Sequence, residues 1–188
     1  MHQDNKCPVC GKGYLKINAS EIGIPYYGPA YLTTFSCTNC GFRVTDVTLS
    51  RDYPPTEYRA KIRSADDLKI KVIKSSTAII RIPELKVKME PGPISQGYIT
   101  NIEGILQRVE DATVTMKSWL TDKKKIDKCD DVLCKVKQAV NGGLELTFII
   151  EDPLGNSLLI SESESDIKRR RMSKRKIEKL RLNLKYQK

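Results

Sequence analysis

Histidine is almost absent from this sequence, and its absence removes several classes of enzyme. His2 is the single histidine among 188 residues and lies near the first residue, where a side chain is more often disordered than a ligand or a base. Ser-His and Cys-His nucleophilic catalysis both need a histidine beside the nucleophile. A P-loop is missing too, because Tyr98 follows the two glycines of residues 92–97 where phosphate binding requires lysine. We therefore expect a binding protein and no enzyme.

Long hydrophobic runs are also missing. No stretch approaches the roughly 18 to 20 apolar residues that cross a bilayer, and the first residues lack the charged-then-apolar pattern of a signal peptide. We expect a cytoplasmic protein with no membrane partner. A chain of 188 residues is long enough to bury one main core with a small appendage.

Acidic residues are scarce at the C-terminal end, and this explains the formal net charge of +10. Residues 168–188 hold 11 Lys and Arg against Glu178 alone, while the rest of the chain holds 22 basic and 22 acidic residues. Apolar residues recur there at loose helical spacing, which predicts a basic tail helix over 164–188. Such a tail attracts RNA or an acidic protein face, or is simply a solvated helix. Its candidate contacts are Lys168, Arg169, Arg170, Arg171, Lys174, Arg175 and Lys176.

Four of the six cysteines form two Cys-x-x-Cys pairs. They are Cys7, Cys10, Cys37 and Cys40. A two-residue spacer lets paired thiolates reach one ion, and four thiolates complete the tetrahedral shell of zinc with no open position. The pattern favours a single structural Zn²⁺ in a reducing compartment over disulfides. Gly11 and Gly41 follow the pairs and suit the positive φ of such turns.

The other two cysteines do not fit a second metal site. Cys129 and Cys134 are five residues apart, so on one helix their side chains point about 140° away from each other. We expect buried thiols or a disulfide at these positions.

Residues 1–50 are predicted to form a zinc ribbon. The 26 residues between the two cysteine pairs predict a long hairpin with arms at 14–20 and 31–36. Its tip, residues 22–29, is apolar where an ordinary loop is polar. The tip residues therefore either pack on the rest of the protein or contact a partner. The candidate partner-binding residues are Ile24, Pro25, Tyr26 and Tyr27.

Residues 51–163 are predicted to form a β body with an inserted helical hairpin at about 100–142, because β-branched and charged residues alternate over residues 59–89. Strands are expected within 59–89, at 144–150 and at 157–160. Thr100 or Asn101 is expected to cap a first helix. Its apolar stripe is Ile102, Ile105, Leu106, Val109 and Ala112. A second helix is expected over 127–140, with apolar positions Cys134, Val136 and Val140.

Three pairs of adjacent carboxylates attract attention as possible acid and base groups. They are Asp66 with Asp67, Asp130 with Asp131, and Glu151 with Asp152. Adjacent acidic residues usually lie in loops or on solvated faces. We expect no other group to converge on them and no catalytic role.

Several segments resemble the ZPR-type zinc-finger proteins of eukaryotes and archaea. The most specific are Ile24-Pro25-Tyr26-Tyr27 and residues 34–43, which include the second cysteine pair. Later blocks at 74–78, 82–85, 100–104 and 152–157 follow in the same order as in the family. The resemblance covers most of residues 7–162 and matches the single-module archaeal form.

The resemblance implies a fold and a function. The fold is mainly β with an α insertion: a four-cysteine zinc ribbon joined to a double-stranded β-helix that carries a helical hairpin. The function is a protein-binding module of the translation apparatus that engages an elongation factor one-alpha type GTPase and assists its folding. The alternative is an RNA-binding zinc-ribbon protein whose basic tail contacts RNA or the ribosome.

Overall fold

The structure is a computed structural model that describes residues 6–25, 27–161 and 166–185, with side chains up to 182. Eleven strands are described: β1 (Leu15–Ile24), β2 (Gly28–Cys37), β3 (Arg43–Leu49), β4 (Thr56–Ile62), β5 (Lys71–Lys74), β6 (Ile79–Ile82), β7 (Val87–Met89), β8 (Tyr98–Asn101), β9 (Leu146–Asp152), β10 (Leu158–Ile160) and β11 (Ile167–Arg171). The helices are α1 (Ile102–Ser118), α2 (Lys123–Val140) and α3 (Lys174–Lys185), and short 3₁₀ turns cover Asp67–Lys69 and Pro83–Leu85.

Strands β1, β2 and β3 form the antiparallel sheet of the ribbon. The β1–β2 ladder runs without interruption from Leu15 opposite Cys37 to Ile24 opposite Gly28. Both arms are longer than the sequence predicts, because the apolar residues near the tip remain in the ladder and pack on the body of the protein. Ile24 and Ala30 belong to the main core. Strand β3 was not predicted and adds a third strand beside β2.

The body consists of two antiparallel sheets that enclose the main core. One has the strand order β11-β4-β9-β6-β7 and the other has the order β10-β5-β8. The predicted mainly β fold with an α insertion is confirmed. Strands β9 and β10 lie in different sheets, so the turn between them carries the chain across the core. Isoleucine and leucine dominate the fully buried side chains, as the alternating pattern of the sequence predicts.

Helix α1 begins where the sequence predicts. The side chain of Asn101 accepts a hydrogen bond of 2.8 Å from the backbone N–H of Gly104, which confirms Asn101 as the N-cap. The predicted apolar stripe is correct except at its end. Ala112 is exposed, and Thr113 is buried in its place because it lies one full turn, four residues, beyond Val109. Its hydroxyl donates to the carbonyl of Val109 at 2.6 Å.

Helix α2 begins four residues earlier than the predicted 127, because the side chain of Asp122 caps it by accepting from Lys124 N at 2.9 Å. The predicted apolar positions Cys134 and Val140 are wrong, since both are exposed. The buried face consists of Cys129, Val136 and Ala139. Both cysteines of α2 are free thiols. Among the described helices, none has the length and apolar character needed to cross a membrane.

One of the three carboxylate pairs contradicts the expectation of solvated acids. Glu151 and Asp152 are 2% and 1% exposed. Asp152 accepts hydrogen bonds from three hydroxyl groups at 2.7 to 2.9 Å. These belong to Ser75, Thr77 and Ser157. Several groups therefore converge on this pair. The hydrogen bonds to Asp152 hold the two sheets together at the end of β9.

The basic tail is not one helix, as the sequence analysis predicted, but a strand followed by a helix. Residues 167–171 form β11, and all five of these residues pair with β4. The edge of β4 leaves unpaired backbone groups that a further strand satisfies. Met172 is buried, and its N–H donates to the carbonyl of Pro55 at 3.0 Å. Residues 162–165 lie outside the described part.

Lys176 of α3 attaches the tail to buried carboxylates of the body. Its ammonium group contacts Glu151 and lies 2.5 Å from Glu57. Glu57 also accepts from Arg59 at 2.6 Å. Burial alone raises the pKa of Glu57, but the hydrogen bonds from Lys176 and Arg59 outweigh it and lower the pKa to about 2. The charged form of Glu57 is therefore the form that stabilises the fold.

Replacing Lys176 with methionine tests this attachment. The change leaves Glu57 and Glu151 with fewer cationic partners, so we expect the free energy of unfolding at pH 7 to fall by roughly 2 to 3 kcal/mol. Because the lowered pKa of Glu57 stabilises the fold above about pH 4.5, the difference from wild type should shrink as pH falls towards 2. Urea unfolding across pH measures both effects. Lys174→Met, at an exposed position of the same helix, is the control and should stay within about 0.5 kcal/mol.

Candidate metal centre

Two tight turns place the four cysteines at one end of the ribbon sheet. Cys7 and Cys10 lie on the turn before β1, while Cys37 ends β2 and Cys40 lies on the turn before β3. The predicted positive φ is confirmed at Gly11 (64°), which follows the first pair, and at Gly41 (74°), which follows the second. Hydrogen bonds close the turns, among them Gly11 N to the carbonyl of Cys7 at 2.9 Å.

The four sulfur atoms have the geometry of a zinc site. All lie within 4.8 Å of one another, and the Cys7–Cys40 and Cys10–Cys37 Sγ separations are both 3.7 Å. Four thiolates about 2.3 Å from a tetrahedral zinc ion lie about 3.8 Å apart. The arrangement therefore fits one Zn²⁺ bound by four thiolates, as the cysteine spacing predicts. With all four positions taken by protein, the zinc is structural.

Backbone N–H groups stabilise the negative charge of the sulfurs. The N–H groups of Val9 and Asn39 donate to Cys7 Sγ at 3.4 Å and to Cys37 Sγ at 3.3 Å. Without the metal, hydrogen bonds from backbone groups of residues 13 and 12 lower the pKa of Cys10 to about 6. Zinc takes the place of thiol protons, so binding is coupled to proton release.

Gly13 is a site residue that the sequence analysis did not identify. A Cβ atom at this position would lie 2.6 Å from Cys37 Sγ and 2.8 Å from Asn39 Cβ. Any side chain would therefore push the second knuckle away from the first. Its position in the sequence could have identified it, because Gly13 lies between the first cysteine pair and β1, where the chain has to pass close to the metal.

The structure distributes the four predicted tip residues differently. Ile24 is buried and Tyr27 packs against the main core. Pro25 is exposed, and Tyr26 lies outside the described residues. Of the two alternatives for the tip, Ile24 and Tyr27 therefore pack on the rest of the protein. The tip thus fastens the ribbon to the body.

The opposite side of the ribbon sheet presents an apolar surface that the sequence analysis missed. We call it the outer ribbon face: Ile17, Phe35 and Val44 are cross-strand neighbours on it, and Tyr31 lies further along β2, beyond Thr33. Ile17 is 53% exposed and Tyr31 is 40% exposed. The sequence pattern that could have predicted this surface is the alternation of side chains along each strand, which places these residues on the side opposite Ile24 and Ala30.

The predicted basic contact residues of the tail lie outside the metal site, and only some of them have partners within the protein. The guanidinium of Arg169 lies over the rings of Tyr53 and Tyr58, and Lys176 binds the buried carboxylates. Lys168 is 4.0 Å from Asp166. The other four side chains are exposed and have no salt-bridge partner in the described part of the chain. These are Arg170, Arg171, Lys174 and Arg175.

Removing one sulfur tests the assignment of the metal. Purified wild type should contain about one zinc per chain by elemental analysis, because four thiolates form a closed site. Cys10→Ser should lose stoichiometric zinc and raise the amide exchange rate of residues 7–50. Cys134→Ser, an exposed free thiol on α2, is the matched control and should retain its zinc. Full zinc content in the Cys10 variant would contradict the four-thiolate assignment.

Comparison with known proteins places these features in a family. Residues 66–183 match the ZPR1 jelly-roll domain. A ZPR1-like protein of Methanocaldococcus jannaschii is 40% identical over 176 residues, covering 93% of this chain and 87% of that protein. One from Pyrococcus horikoshii is 35% identical over 178 residues, covering 93% of this chain and 78% of that protein.

A eukaryotic relative is longer. The zinc finger chaperone zpr1 of Schizosaccharomyces pombe is 30% identical over 159 residues, which are 81% of this chain but 34% of that protein. The names of this relative and of the human one describe a zinc finger chaperone and a zinc finger protein, and neither names an enzyme. The domain match and the 40% identity across most of this chain and of the Methanocaldococcus jannaschii protein show that this chain belongs to the ZPR1 family of zinc finger proteins.

Proposed function

We propose that this chain is a zinc-dependent protein-binding module of the translation apparatus that engages an elongation factor one-alpha type GTPase and assists its folding. The partner comes from the family resemblance, and the name of the fission yeast relative as a chaperone supports the folding role. The observation that carries the proposal is the outer ribbon face, an exposed apolar surface on a sheet whose other side is fixed to the body.

Zinc and the core together make this surface rigid. The metal fixes the strand ends next to the cysteines, while Ile24 and Ala30 fix the far end of the hairpin in the main core. A surface that is already ordered before binding loses little conformational entropy when a partner docks. The outer ribbon face therefore supplies the contacts, and Ile24 and Tyr27 act by holding the ribbon in place.

An aspartate on the outer ribbon face should weaken partner binding. Ile17→Asp places a charge where an apolar contact is expected, and we predict at least a tenfold loss of affinity for purified elongation factor one-alpha, about 1.4 kcal/mol or more. Chelation of the zinc should cause a similar loss. Calorimetry in moderate salt, with competitor RNA present, measures both.

The control for this experiment is Leu182→Asp, because Leu182 is 50% exposed on α3 and lies on no ribbon strand. It introduces the same charge and should bind like wild type. If Ile17→Asp binds as well as wild type while zinc content is unchanged, the outer ribbon face is not the contact surface.

RNA binding through the tail remains the second candidate. It is favoured by three exposed arginines and one exposed lysine within residues 170–175, which have no salt-bridge partner in the described part of the chain. Phosphate contacts by such side chains are sequence-independent and weaken with salt. Deleting the tail is no clean test, because β11 completes the main sheet and Met172 is buried.

Neutralising only the exposed charges separates the tail's two roles. A variant with Arg170, Arg171, Lys174 and Arg175 changed to glutamine retains Lys176 and β11. If the tail binds single-stranded RNA, the slope of log affinity against log salt should become shallower by up to about 3. Binding to the GTPase should be unchanged. An unchanged RNA affinity and slope would exclude these side chains as the RNA contact.

A further inference from the structure

A groove separate from the ribbon runs between the helical hairpin and the edge of the larger sheet. Its volume is about 440 Å³. Val87 of β7 forms one wall, and Met116 of α1 and Val132 of α2 form the other. The thiol-bearing Cys129, which is 3% exposed, lies at its floor. The lining is therefore mostly apolar, although it opens to solvent. Met116 is 49% exposed.

Three lysines surround this groove. Lys86, Lys125 and Lys128 line it, and none of them has a salt-bridge partner in the part of the chain that the structure describes. Asp131 is the only acidic lining residue in that part, and it is paired with Lys135 at 2.7 Å. The rim therefore has unbalanced positive charge around an apolar floor, although residues 1–167 taken together hold 22 basic and 22 acidic residues.

The backbone at Lys86 is unusual in a way that concerns the groove. Its φ is 55°, and it is the only described residue other than glycine with a positive φ. A non-glycine residue costs about 1 kcal/mol or more in this conformation. The strained turn places a lysine, not a glycine, on the groove's rim.

The shape of the groove favours a helix over an extended strand as its occupant. Strand β7 is the edge of the larger sheet, but it has only three residues, and Pro91 follows shortly after it. So short an edge offers few backbone hydrogen bonds to an added strand. The walls formed by α1 and α2 instead suit the apolar stripe of an amphipathic helix, which packs by fitting side chains between those of its neighbours.

We propose that this groove binds an acidic amphipathic α-helix of a partner protein. The apolar stripe of the helix contacts Val87, Met116 and Val132, and its carboxylates meet the unpaired lysines of the rim. The site is distinct from the outer ribbon face and does not depend on which protein the ribbon binds. A second, separate contact on one chain raises the effective affinity for a partner that reaches both.

A displayed library of random peptides about 16 residues long, roughly four helical turns, tests this proposal on the full zinc-loaded chain. The expected enriched peptides have apolar residues at helical spacing flanked by Asp and Glu. An enriched peptide without tryptophan is then titrated against Trp119, the only tryptophan in the chain. Trp119 is next to the lining residue Leu120 and is 78% exposed, so its emission should shift to shorter wavelength on binding.

The rim is tested by the combined variant Lys86→Glu, Lys125→Glu and Lys128→Glu. It should lose about tenfold or more in affinity for the enriched peptide, because like charges now face each other. The control combines Lys12→Glu, Lys16→Glu and Lys174→Glu, exposed lysines away from the groove that give the same change in net charge. It should retain the affinity of wild type.

The floor is tested by Val132→Asp, which should abolish binding of the enriched peptide while zinc content stays at one ion per chain. The rim variant changes only exposed lysines and so covers the case in which Val132→Asp fails to fold. Three results would overturn the proposal: enrichment of basic peptides, enrichment of peptides with a strand-like period of two, or equal affinity for wild type and the rim variant.

Discussion

The buried carboxylates at the end of β9 hold this protein together. Asp152 binds hydroxyl groups of Ser75 and Ser157 and so joins the strand ends of both sheets. Its neighbour Glu151 points to the other side of the strand and binds Arg81 and Lys176. Because charges are costly to bury without partners, each carboxylate enforces the position of every group that satisfies it. The crossing of the core and the docking of the tail therefore depend on two adjacent residues.

Local chemistry made part of the structure predictable from the sequence. The zinc site follows from cysteine spacing, because few arrangements other than a shared ion suit two Cys-x-x-Cys pairs. The start of α1 follows from Asn101, since a cap is a contact between residues three apart. The β body follows from alternation of apolar residues, and the ordered blocks of the ZPR-type family added the topology.

The remaining features depend on contacts between distant segments, which no local pattern encodes. Residues 167–171 have a composition that suits a basic helix, but the open edge of β4 makes them a strand. Glu151 and Asp152 resemble a solvated acidic pair until Lys176 and three hydroxyl groups are placed around them. The tip of the ribbon hairpin was open to two interpretations, because an apolar loop looks the same whether it meets its own body or a partner.

Strand β4 has an implication for how the chain folds. It pairs with β9 on one side and with β11 on the other, and both partners lie almost the whole length of the body away in sequence. Closing such long loops makes folding slow, whereas the α1–α2 hairpin needs only local contacts and forms early. Until the tail docks, β4 exposes one free edge, which is a template for pairing with another chain. A protein proposed to help another fold thus leaves an aggregation-prone edge of its own uncovered until β11 docks on it.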